Sequence, residues 1–231
     1  RALTNGQYNT MIGNQAGQLV TTADGNTFVG HQAGKNWTTA GTNTALGFEA
    51  LYRYDTNTHG DIYASNTAVG YRAGYYGGSV TNFGASAYFG YNAGYTSVAG
   101  RNVFMGANAG RYMASGSENV AIGFEAMAAN YYSSDIANNN EGGTVAIGAY
   151  ALQNMPDSGA NGLLTVAIGH QALRYQSGSS AGRNVAVGYG AMAGTHDYGS
   201  YNTSVGYGAG GWSAIDIGYT TAVGGLGTAG N

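Results

Sequence analysis

A nine-residue unit recurs twelve times along this chain of 231 residues, and that repetition limits the fold more than any other feature. Typical copies read NTAVGYRAG at 66–74, NVAIGFEAM at 119–127 and NVAVGYGAM at 184–192. Aligned on the glycine that ends the apolar run, the copies fall at Gly13, Gly30, Gly47, Gly70, Gly90, Gly106, Gly123, Gly148, Gly169, Gly188, Gly206 and Gly224. Their spacings are 17, 17, 23, 20, 16, 17, 25, 21, 19, 18 and 18 residues. An alanine follows three residues later in eleven copies, from Ala16 to Ala209, and Gly227 replaces it in the twelfth.

The apolar run has strand periodicity: in N-V-A-I-G, Val120 and Ile122 share one face while Ala121 and Gly123 share the other. The second motif position is Thr or Val in nearly every copy, β-branched residues of similar shape that suit a pleated surface. The fourth position is apolar throughout. These two columns are read as the inner face, so that Val120, Ile122, Ile147, Ile168 and Val187 form core while Gly123 and Ala126 form the corner. The glycine suits a bend with relaxed φ and the alanine a tight approach. A helix is excluded, because glycine would recur inside every copy at about 1 kcal/mol each. Strands this short need neighbours, which stacked copies supply. The expected fold is therefore an all-β parallel β-solenoid of about twelve coils, one repeat domain over 1–231 with its repeats at about 9–227.

The third motif position is mostly small, as at Ala45, Ala121 and Ala186, but large at Met11, Phe28, Tyr88 and Phe104. This strip either packs inside its own coil or lies outward and is covered by another chain, since an exposed apolar strip favours association.

Composition narrows the function. Charged residues make up 8% of the chain and the net charge is −3, which gives no electrostatic footprint for nucleic acid. Polarity comes from Asn, Thr, Ser, Gly and 20 Tyr. Without cysteine there is no disulfide framework and no thiolate metal site. No apolar run approaches the roughly 18 residues of a membrane span. The chain begins at Arg1 and is read as a fragment of a longer protein.

Extra length enters between units, most of all at 52–65, 75–85, 128–143 and 153–164. Loops on a rigid scaffold are where binding concentrates, and several hold paired tyrosines. Tyrosine offers a flat face and a hydroxyl at little entropic cost. Tyr52, Tyr54, Tyr75, Tyr76, Tyr131, Tyr132, Tyr198 and Tyr201 are accordingly the candidate receptor contacts.

The repeat resembles the head repeats of YadA-like trimeric autotransporter adhesins, whose unit reads approximately N-S-V-A-I-G-x-x-S. It resembles still more closely the NTAVGYQAL-type repeats of bacteriophage tail fibres. That resemblance implies a left-handed parallel β-roll, a side-by-side homotrimer and binding of a host-surface glycan or protein. It favours the interface alternative for the third-position strip and places the protein in the virion tail fibre, or otherwise on a bacterial surface. In such fibres these arrays often precede a self-cleaving chaperone domain. The coils here are longer and less even than those of the bacterial heads, which favours the phage fibre.

Candidates for chemistry are thin. His31 and His170 share one repeat position but lie seven copies apart, about 34 Å at the spacing of stacked strands. Glu49 and Glu125, at a common position with Arg72, are likewise too separated for a carboxylate pair. Asp55, His59 and Asp61 cluster in one polar loop and are read as solvated, as is the His196-Asp197 pair. No nucleophile elbow or phosphate loop occurs, and GYGAGG at 206–211 is one more repeat copy. Asn36 and Asn202 match the glycosylation acceptor pattern by chance. The expectation is a non-enzymatic fibre segment with no catalytic residue, metal or cofactor. The alternatives are a bacterial adhesin head, a shaft spacer, a polysaccharide-cutting tailspike and an ice-binding solenoid. The last is disfavoured because the Thr/Val columns are read as interior.

Overall fold

The structure is a computed structural model of the chain. It describes residues 5–39, 41–53, 65–75, 84–97, 99–113, 116–128, 142–154, 164–175, 182–194, 199–210 and 219–225. Two compact units, Arg1–Ala114 and Ser115–Asn231, divide it.

The fold is an all-β parallel solenoid in which each repeat copy contributes one three-residue strand. Unit 1 holds β1 (Thr10–Ile12), β2 (Thr27–Val29), β3 (Thr44–Leu46), β4 (Thr67–Val69), β5 (Ala87–Phe89) and β6 (Val103–Met105). Unit 2 holds β7 (Val120–Ile122), β8 (Val145–Ile147), β9 (Val166–Ile168), β10 (Val185–Val187), β11 (Thr203–Val205) and β12 (Thr221–Val223). Within each unit successive strands pair in parallel, and the register aligns equivalent motif positions, as in Val120↔Val145 and Ile122↔Ile147. A second hydrogen-bonded column runs along the corners, where Leu152 N–H donates to Ala172 O and Leu173 N–H to Ala191 O, both at 2.9 Å.

The inner face is the opposite of the one expected. Third-position residues Phe28, Ala45, Ala68, Tyr88, Phe104, Ala121, Ala146, Ala167 and Ala186 are fully buried within their own coils. Val120, Ile122, Ile147 and Val187 are only half-buried, and Ile168 is exposed. The reading of these five as core is thus corrected, whereas Ala126 is buried and Gly123 makes the bend. Alternation distinguishes two faces without saying which points inward.

The reason is the narrowness of the coil, whose interior holds about one large side chain. Where the third position is large, the residue four past the anchoring glycine is itself glycine. A Cβ on Gly34 would lie 2.5 Å from the Phe28 ring, and one on Gly110 would lie 2.5 Å from the Phe104 ring. Where the third position is alanine, that later residue is Leu51, Met127, Leu152, Leu173 or Met192, each no more than 1% exposed. The coil of β4 has Ala68 and Gly74 together, and Leu51 and Tyr88 of adjoining coils fill the space beside Gly74. Close packing at fixed volume explains the exchange.

The motif asparagine builds a buried ladder. Its side-chain Oδ1 accepts the backbone N–H of the equivalent residue in the next coil: Asn43 N–H to Asn26 at 2.9 Å, and Asn66 N–H to Asn43 at 3.0 Å. In unit 2, Thr144 N–H donates to Asn119 at 3.1 Å and Asn202 N–H to Asn184 at 2.8 Å. These bonds satisfy backbone donors that would otherwise be buried without partners.

The anchoring glycine is required twice over. Gly123 has φ +132°, and a Cβ there would stand 2.6 Å from the Gly148 carbonyl oxygen of the next coil. Only glycine adopts this backbone and permits this approach.

Candidate functional site

Two rows of aromatic side chains run along the outside of unit 1. The first occupies the position after the anchoring glycine, in the turn that follows each strand. His31 stacks on Phe48 at 5.0 Å, Phe48 on Tyr71 at 5.3 Å, and Tyr71 on Tyr91 at 5.2 Å. All four are exposed. The register brings identical positions one strand spacing apart, so rings of one column stack like plates.

The second row lies five residues past the glycine. Tyr52 stacks on Tyr75 at 5.0 Å and 7°, and Tyr75 on Tyr95 at 4.9 Å and 6°. Tyr112, six residues past Gly106, closes it edge-on at 6.5 Å. Cations flank this row. Lys35 Nζ lies 5.6 Å from the Tyr52 ring centre, and the Arg111 guanidinium 4.7 Å from that of Tyr112. Arg72 sits between the rows, 5.1 Å from Tyr71 and 5.3 Å from Tyr75. Such contacts are worth about 0.5–1 kcal/mol where solvent reaches them.

Between the rows runs a polar column at the position two past the glycine: Gln15, Gln32, Glu49, Arg72, Asn92 and Asn108. Each adopts left-handed φ, between 52° and 59°, which turns the chain sharply. Arg72 Nε–H donates to Glu49 Oε2 at 2.7 Å, with the two side chains 34% and 12% exposed. Burial opposes the Arg72 charge, but the Glu49 hydrogen bond and charge outweigh it and raise the guanidinium pKa. Burial, with the Glu49 charge, pushes the Tyr75 hydroxyl up to about 12.

Unit 2 repeats the scheme with different occupants. His170 stacks on Tyr189 at 5.0 Å, and Tyr189 on Tyr207 at 5.1 Å. In place of the tyrosine row stands a hydrogen-bonded chain: Gln153 Nε2–H donates to Glu125, and Arg174 Nε–H donates to Gln153 at 2.9 Å.

Of the expected receptor contacts, Tyr52 and Tyr75 come together in the second row, and Tyr201 is exposed and stacks on Tyr219 at 5.0 Å. Tyr54, Tyr76, Tyr131, Tyr132 and Tyr198 lie outside the described residues, as do Asp55, His59, Asp61, His196 and Asp197. His31 and His170 are turn residues within stacked columns. Glu49 and Glu125 are each held by a neighbouring side chain. Asn36 and Asn202 are buried, Asn202 inside the asparagine ladder. Among the described residues no helix is long and apolar enough to cross a membrane, and no group of three His, Asp or Glu is placed to hold a metal.

The row partners Tyr95, Tyr112, Lys35 and Arg111 lie outside the expected set of receptor contacts. Their signal was available: Lys35, Tyr52, Tyr75, Tyr95 and Arg111 all stand five residues past an anchoring glycine.

No protein-family model, curated protein or solved structure matches the chain.

Proposed function

We propose that this chain is a non-enzymatic segment of a trimeric bacteriophage tail fibre that binds a host-surface glycan or protein. The observation that carries the reading is an apolar strip left uncovered on the outer face of each unit. In unit 1 it comprises Ile12, Leu46, Phe48, Tyr71, Tyr91 and Met105, and in unit 2 Phe124, Ile168, Tyr189, Val205, Tyr207 and Val223. All twelve residues come from two motif positions, the fourth and the one after the glycine. A continuous exposed strip of this kind favours a protein partner, and its regular repetition suits a copy of the same chain.

This reading puts the association face elsewhere than the sequence suggested. The third-position strip, which the resemblance put at the interface, is interior, so the neighbour would cover the fourth-position column and the exposed aromatic row instead. The resemblance supplies the fibre setting, the virion location and the trimeric number.

The test has two arms. Leu46→Ser with Ile168→Ser should lower the association state while circular dichroism stays unchanged. The wild-type protein should bind bacterial cells saturably, release no product and compete with phage adsorption. Failure to bind or compete would reduce the segment to a spacer.

One observation favours a second reading. The column holding Thr10, Thr27, Thr44 and Thr67 is outward rather than interior, which removes the objection raised above to ice binding. The exposed Ile12 and Leu46 side chains share that strand face, so it is not a plane of threonine alone. Thermal hysteresis would establish that reading.

A further inference from the structure

We propose that the tyrosine row of unit 1 binds a linear acidic polysaccharide with one anionic group per disaccharide. The inference rests on the receptor-binding reading and names its ligand class.

Lys35 belongs to the coil of β2, Arg72 to that of β4 and Arg111 to that of β6; with Arg53 of the β3 coil buried, a half-buried cation flanks the tyrosines at every second coil. The stacked rings measure the step directly: 5.0 Å from Tyr52 to Tyr75 and 4.9 Å from Tyr75 to Tyr95. Two steps are about 10 Å, the spacing of alternate strands in a sheet. One sugar of an extended chain advances by about one such step. A polysaccharide lying along the row would therefore present an acid on every second sugar level with the three cations, Lys35 and Arg111 in the column of the row and Arg72 in the polar column beside it.

Chemistry at the row fits the same ligand. The rings have spent their faces on one another, so outward they offer edges and hydroxyls, which suit the hydroxyl-rich flank of a sugar better than its apolar face. The adjoining column supplies amides from Gln15, Gln32 and Asn108. Glu49 takes the Nε–H of Arg72, and a guanidinium has further N–H donors for a carboxylate. Unit 2 makes the contrast: Arg174 is bound into the Glu125–Gln153 chain and packs 4.6 Å from Tyr150 and 4.9 Å from Tyr175. No comparable row of stacked tyrosines accompanies it among the described residues.

The site also lies apart from the apolar strip. The strip follows the fourth position and the residue after the glycine, whereas the row stands beyond the polar column. A copy covering the strip would border Arg72, which lies 5.1 Å from Tyr71, and leave the tyrosines with Lys35 and Arg111 to the ligand.

The test is isothermal titration of the full chain with an octasaccharide of alternating glucuronic acid and N-acetylglucosamine, and with the same octasaccharide after carboxyl reduction. The acidic form should bind at least about tenfold more tightly, with an advantage that shrinks as salt rises. Lys35→Gln with Arg111→Gln should remove that advantage without changing the melting temperature, and Lys35→Arg with Arg111→Lys should keep it. Equal affinity for the two octasaccharides would overturn the proposal. So would saturable binding to bacterial cells by a protein that ignores the acidic octasaccharide, a result that leaves the receptor-binding reading standing. Loss of binding to cells as well would remove both.

Discussion

The exchange of volume between the third motif position and the residue four past the glycine makes a quantitative prediction. Phe28→Ala empties the interior of the coil of β2, where Phe28 is fully buried, and should cost about 3–5 kcal/mol. Gly34→Leu alone should also destabilise, by about 1–3 kcal/mol or more, because its Cβ would stand 2.5 Å from the Phe28 ring. The backbone is not the obstacle: Gly34 has φ +56°, and Leu51 holds the equivalent position in the next coil at φ 50°. Together the two substitutions recreate the Ala45–Leu51 pairing of that coil. The double variant should recover to within about 1–2 kcal/mol of wild type, a coupling energy of several kcal/mol between residues in contact. Equilibrium denaturation followed by Trp37 fluorescence is the assay, since Trp37 lies in the same coil, is 3% exposed, and donates its Nε1–H to Leu51 O at 2.7 Å. Solenoids unfold in segments, so the transition seen by this local probe is the one to compare. Additive effects of the two substitutions would refute the one-side-chain interior.

Three further outcomes follow from the packing and the ladder. Gly123→Ala and Gly224→Ala impose similar backbone strain, at φ +132° and +125°, of about 1–3 kcal/mol. Only the first meets a neighbouring carbonyl, while a Cβ on Gly224 has nothing within 4 Å, so calorimetry should show the first to be clearly worse. Asn43→Ala leaves the buried Asn66 N–H without its acceptor and should cost about 1–3 kcal/mol in chemical denaturation. Asn43→Thr should cost less, because Thr165 fills this position elsewhere and its hydroxyl accepts the Asn184 N–H at 3.5 Å. Alkaline pH should destabilise the fold. Burial raises the Tyr88 hydroxyl pKa against the opposing hydrogen bonds of Ser86 and Ser97, and Tyr75 is pushed up to about 12. Above the ordinary phenol pKa of about 10 the unfolded state loses protons that the folded state keeps, so stability falls as pH rises. Denaturation midpoints should therefore drop through that range, and less steeply in Tyr88→Phe.

The repeat made the architecture legible because a column of like residues has physical meaning only if copies stack in register. It did not reveal which face is inner, since the bulky Val and Ile of NVAIG suggested the wrong one. The signal that decides the matter is the pairing of Phe28 with Gly34 and of Ala121 with Met127, a correlation between positions six apart rather than a property of either. The aromatic rows were half visible. Tyr52 and Tyr75 stand out in the sequence as loop tyrosines, but they matter as members of a column, with Tyr95 between the same flanking cations. Neighbours across coils are 16 to 25 residues apart in sequence, and only the repeat alignment joins them.

The exposed apolar strip is the basis for reading this chain as a fibre segment, and mass in solution tests it most directly. Sedimentation equilibrium of the 231-residue protein should return three times the 23.5 kDa chain mass, falling when Leu46 and Ile168 become serine. A stable monomer of 23.5 kDa at concentrations well above those of the binding assays would contradict the account.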